Sequence, residues 1–109
     1  MSKQLRFTYE DKEYVLEFTR KSVETMERQG FVAEEISTKP MLTLPALFRG
    51  AFLANHGTVP KEKIDKIYSM LTDKGNLIRS LAEMYNEPIA ALVEDPEESE
   101  GNLNWTASW

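Results

Sequence analysis

The chain contains no cysteine and a single histidine, His56, among its 109 residues. Without cysteine there is no disulfide, no thiolate nucleophile and no Cys-based metal site. A lone imidazole cannot build the usual zinc ligand cluster either. Bases are outnumbered, 13 Lys and Arg against 18 Asp and Glu, and no basic cluster provides the electrostatic footprint that nucleic acid binding needs. No apolar run approaches the ~20 residues of a membrane span, and "MSKQLRFTYE" has no h-region of a signal peptide. These absences lead to the expectation of a cytosolic protein. The five glycines form neither G-x-G-x-x-G nor a Walker A loop, so no cofactor is expected. "NWT" at Asn104 matches the N-glycosylation pattern, which without secretion is a chance match.

What is present is unevenly placed. From Glu94 onward there are five acids (Glu94, Asp95, Glu97, Glu98, Glu100) and no base, which leaves 13 charges of each sign in residues 1–93. The expected organisation is therefore one α+β domain over residues 1–93 and an acidic tail over residues 94–109. Both tryptophans, Trp105 and Trp109, fall in the last five residues of that tail.

"LRFTYEDKEYVLEF" alternates apolar and polar residues, the pattern of a half-buried hairpin. A two-residue turn at Asp11-Lys12 would place Tyr9 opposite Tyr14, Phe7 opposite Leu16 and Leu5 opposite Phe18. All six then share one face, and a slip by one residue would scatter them. A short helix is expected over about Arg20 to Gln29, capped by Thr19 or Ser22. Gly30 suits a left-handed C′ position, with Phe31 folding back onto Met26 in a Schellman motif. "VAEEISTKPM" reads as a connecting loop. An almost wholly apolar helix should run from about Pro45 to Asn55, with Leu44, Leu47, Phe48, Ala51 and Phe52 as its stripe. Gly50 in its middle suggests another backbone passing close. Ile64, Ile67, Tyr68 and Leu71 mark an amphipathic helix begun near Pro60. A last helix from about Asn76 carries Leu77, Leu81, Met84, Tyr85, Pro88 and Leu92 on one face, with Pro88 expected to kink or break it at Glu87.

The chemistry-bearing residues form no catalytic constellation. His56, at a helix end before Gly57, is expected to meet the last carbonyls or the helix dipole. Glu34-Glu35 reads as a solvated acidic pair. A helix-turn-helix around "TDKGN" would place Asn76, Arg79 and Ser80 at a DNA groove, but no basic cluster supports it. The tail stands apart. Leu103, Trp105, Ala107 and Trp109 alternate with Asn104, Thr106 and Ser108, which is strand periodicity. Such a segment either adds to this chain's own hairpin, which is marginal as two strands, or docks on another molecule by strand addition.

The order of elements resembles a known family. "FTYEDKEYVLEFTRKSVETMERQGF" holds an aromatic-rich hairpin, then a short helix with Met26-Glu27 and an ending at Gly30-Phe31. "LPALFRGAFLANH" follows, and an acidic tail ends in tryptophan. This looks like the small tail assembly chaperones of long-tailed bacteriophages infecting Gram-positive bacteria. The resemblance spans most of the chain and rests on element order and aromatic placement. It implies a non-enzymatic protein that coats the helical tape measure protein until tail tube subunits polymerise around it, and that is absent from the finished particle. Many such chaperones also exist in a longer, frameshifted form whose extra domain is thought to recruit the tube protein. This chain would be the short form or the shared N-terminal module.

Taken together, these readings predict an α+β fold with an N-terminal antiparallel hairpin packed on three to four helices, plus an acidic tail able to add a strand. The expected function is partner binding in the host cell cytoplasm, with no cofactor and no metal. The tape measure protein and the tail tube protein are the expected partners, and self-association through the C-terminal strand is a further one. The candidate partner-binding residues are Leu103, Trp105, Trp109, Phe48 and Phe52. The alternatives are a small DNA-binding regulator and a structural head–tail joining protein.

Overall fold

The structure, a computed structural model, describes residues 3–94, 103 and 105–108. It is α+β, as the patterning implies: a two-stranded antiparallel hairpin precedes a set of helices. Strand β1 (Leu5–Tyr9) pairs with β2 (Lys12–Leu16) in a register that sets Leu5 opposite Leu16, Phe7 opposite Tyr14 and Tyr9 opposite Lys12. That is two residues away from the register read from the sequence. The turn falls at Glu10-Asp11, with φ of 50° and 64°, rather than at Asp11-Lys12. Two successive left-handed residues make a turn whose twist matches the strands it joins. A two-residue shift preserves which side chains share a face, so the aromatic face survives it. Phe18 is released from the ladder and meets Tyr85 edge-on, ring centres 5.4 Å apart.

Helix α1 (Arg20–Arg28) starts on a reciprocal capping box between Thr19 and Ser22. It stops as expected. Gly30 has φ 95°, its N–H donates to Glu27 O at 3.0 Å, and the Phe31 N–H donates to Met26 O at 3.0 Å, the paired bonds of a Schellman ending. A short 3-10 turn (Ala33–Ile36) lies within what reads as loop. Helix α2 (Pro40–Gly50) begins five residues earlier than expected, because Pro40 rather than Pro45 takes the first helical position. Pro45 sits inside it. A turn at Ala51 and Phe52 leads to α3 (Leu53–His56), so the expected helix to Asn55 is two helices.

Helix α4 (Lys61–Met70) begins after Pro60 and buries Ile64 and Ile67. Helix α5 (Lys74–Val93) is continuous through Pro88, where the sequence predicts a kink or a break, so the helix is not broken there. Its first three turns bury Leu77, Leu81, Met84 and Tyr85, whereas Ile89, Leu92 and Val93 in its last turns are exposed. Among the described residues, no helix is long and apolar enough to cross a membrane.

The core joins Tyr14, Leu16 and Phe18 to Met26, Leu47, Phe48, Phe52, Ile67 and Leu81. Gly50 is where α1 and α2 approach, but the neighbour is a side chain, not the backbone expected. A Cβ there would collide with Met26 Sδ and Cε. The outer edge of β2 is closed by the α2–α3 region. Val15 N–H donates to His56 Nε2 at 3.0 Å, Asn55 Nδ2 donates to Val15 O at 3.1 Å, and Glu17 N–H donates to Ala51 O at 3.2 Å. His56 therefore serves the strand edge instead of its own helix terminus.

Candidate partner-binding surface

Two of the residues expected at a binding surface are not on one. Phe48 and Phe52 are each 1% exposed. Their rings pack edge-on at 5.2 Å, and Phe48 also meets Tyr68 at 5.1 Å while Phe52 meets Tyr14 at 5.8 Å. These two side chains are core residues, packed against the hairpin and α4. Leu103 and Trp105 are, by contrast, 92% and 81% exposed. Neither belongs to a strand, and the sheet has two strands among the described residues. The tail therefore does not complete this chain's own hairpin there. Trp109 lies outside the described residues.

Further exposed apolar residues, Val32, Leu42, Ile89 and Leu92, flank α1. Between the end of α1, the 3-10 turn and α2 lies a cavity of about 370 Å³ floored by Met26 and walled by Phe31, Leu42 and Leu53. A second depression of about 510 Å³ adjoins it through Phe31 and Val32, and reaches Ala33, Tyr85 and Ile89. Ile89 and Glu27 pass on to a third, of about 280 Å³, formed by Val23, Pro88, Ile89 and Leu92. The three share lining residues and so form one track from α2 to the free end of α5. Sequence periodicity places Leu92 on the core face of α5. Beyond Pro88 that face is only partly covered: Ile89 and Leu92 lie beside Arg20 and Val23 of α1 and remain 38% and 56% exposed.

Charge along the track is also uneven. Glu35 pairs with Lys39 at 3.2 Å, Glu24 pairs with Arg28, and Arg49 holds Asp65 through two bonds of 3.0 and 3.3 Å. Glu27 and Glu34, at the middle of the track, form no ion pair among the described residues. Their effect is felt at Tyr85, whose phenol is pushed above its ordinary pKa, first by burial and then by these two carboxylates. The track is thus a groove of apolar residues interleaved with polar and charged ones (Gln29, Lys39, Arg49, Asn86), with Glu27 and Glu34 at its centre. A groove of this kind accepts the apolar stripe of an amphipathic helix, and its two carboxylates favour a Lys or Arg beside that stripe.

Among the described residues, no three His, Asp or Glu side chains gather as metal ligands, and every buried side-chain nitrogen or oxygen has a hydrogen-bond partner. The helix-turn-helix residues Asn76, Arg79 and Ser80 are exposed on α5. However, α4 packs chiefly on α2, and α5 on α1 and α2, whereas a helix-turn-helix needs its two helices packed on each other.

Comparison with known proteins gives one match. A family profile described as a domain of unknown function, DUF5055, matches residues 1–109. No curated protein matches the chain, and no solved structure does.

Proposed function

For this chain, which belongs to the DUF5055 family, we propose a non-enzymatic role as a phage tail assembly chaperone. It binds and solubilises the tape measure protein in the host cell cytoplasm while the tail tube assembles. One observation carries the reading: the track that joins Met26, Phe31, Ile89 and Leu92, with Glu27 and Glu34 at its centre and in no ion pair among the described residues. A long amphipathic helix is aggregation-prone while its stripe is exposed, and a groove that covers the stripe suppresses this. The element order and aromatic placement that resemble the chaperone family point the same way. Net charge of -5 keeps the loaded complex soluble. The tail tube protein is a second candidate partner, through the longer form of such chaperones.

Co-expression with the tape measure protein of the same phage tests the proposal. The tape measure protein should move from pellet to supernatant and co-purify with the chain. Failure to do either would remove the chaperone reading. Finding the chain in purified virions would favour a joining protein instead, and low-salt DNA binding would favour a regulator.

A further inference from the structure

The two edges of the hairpin are unequal. On β2, the outward groups of Val15 and Glu17 are taken up by Asn55, His56 and Ala51. In an antiparallel pair, residues directly opposite each other both point inward or both point outward, and the sense alternates along each strand. Val15 points away from β1, so its register partner Arg6 points away from β2. Thr8, two residues along, points the same way. Among the described residues, no hydrogen bond reaches the backbone N–H or C=O of Arg6 or Thr8. Such a row is a template for another strand.

Burial is unequal in the same sense. On the inner face of β2, Tyr14 and Leu16 are 1% and 0% exposed, whereas Leu5, Phe7 and Tyr9 on β1 remain half-buried. The missing cover is a strand with apolar residues at alternate positions. Leu103, Trp105 and Ala107 have that spacing, with Thr106 and Ser108 on the other side. Among the described residues of the single chain, no strand pairs with this edge of β1, and Leu103 and Trp105 are exposed.

We infer that the free edge of β1 takes the Leu103–Ala107 strand of a second copy of this chain, exchanged reciprocally in a dimer. Leu103, Trp105 and Ala107 lie beside Leu5, Phe7 and Tyr9 and complete the aromatic face. The backbone of Arg6 and Thr8 receives the ladder bonds. Reciprocal exchange closes a two-fold symmetric pair in which both edges and both tails are used, so assembly stops at two. The surface is separate from the groove along α1, and neither proposal depends on the other.

Sedimentation of the full chain over a range of concentrations tests this, combined with hydrogen exchange at the Arg6 and Thr8 amides. The expected result is twice the monomer mass, with both amides protected. A full-length Leu103→Asp/Trp105→Asp variant should have monomer mass, unprotected amides at both positions, and an unchanged far-ultraviolet circular dichroism spectrum. A full chain that stays monomeric at every concentration would overturn the proposal, and protected amides in that monomer would mean the tail pairs within its own chain. A dimer that persists in the variant would overturn it in favour of direct pairing between two β1 edges. A dimer lost in the variant, but with Arg6 and Thr8 unprotected in the wild type, would place the tail on another surface and also overturn it.

Discussion

Nε2 of His56 accepts the amide proton of Val15 at 3.0 Å, so one imidazole on α3 closes the outer edge of β2. The bond requires a neutral ring with its proton on Nδ1. Burial first, and the Lys12 ammonium second, hold the pKa of His56 below its ordinary 6.5. Between the folded and unfolded values, the unfolded chain binds the extra proton, so stability rises with pH. The contribution is present above about pH 6.5 and is lost as pH falls through the folded value. Urea unfolding midpoints at pH 7.5 and 5 should fall more for the wild type than for His56→Gln, whose amide oxygen can accept from Val15 at either pH. Equal falls would show that the histidine makes no pH-dependent contribution.

Gly50 and Met26 form a second coupled pair. A methyl group at residue 50 would collide with Met26 Sδ and Cε. Gly50→Ala forces the flexible end of Met26 to shift, and helix propensity offsets about 1 kcal/mol of that cost, so the net loss should be below about 1 kcal/mol. Met26→Ala alone should cost about 2–5 kcal/mol. The double variant should lose less than the two added together, by about 0.5–3 kcal/mol of coupling. Strict additivity in denaturant titrations would show that the two positions do not compete for one space.

The hairpin turn offers a gain. Glu10 and Asp11 both hold φ above zero, which Asn-Gly adopts at less cost. Replacing them by Asn and Gly should raise stability by about 1 kcal/mol, read as a higher urea midpoint with an unchanged slope. A lower midpoint would mean that the turn is not of this type in solution.

Core and surface aromatic or aliphatic positions should behave oppositely. Phe52→Ala removes a ring that is 1% exposed and should cost about 3–5 kcal/mol. Leu92→Ser, in the exposed last turns of α5, should change stability by no more than about 0.5 kcal/mol. Thermal unfolding distinguishes the two directly.

Local signals were legible in the sequence and long-range ones were not. The Gly30-Phe31 helix ending was readable because its chemistry lies within six residues. The aromatic face of the hairpin was readable as well, but not its register. A side-chain period of two is blind to any even shift, and Glu10-Asp11 lacks the Asn or Gly that usually marks a turn of this kind. The start of α2 was misplaced because two prolines five apart can each take the first helical position, and only the packing decides between them. Phe48 and Phe52 carried the same ambiguity: apolar content predicts burial without saying against what. The track was missed for the converse reason. Leu92 continues the stripe of Leu77 and Leu81 in sequence, and only the packing of α5 on α1 shows that the stripe is left half-exposed at this end.

The central claim, that the track along α1 and the end of α5 holds an amphipathic client helix, is tested most directly by co-purification with the tape measure protein. The wild-type chain and an Ile89→Asp/Leu92→Asp variant of equal thermal stability would be co-expressed with it in parallel. The account predicts soluble, co-purifying tape measure protein with the wild type and its loss to the pellet with the variant. Equal recovery with both would contradict the assignment of this surface.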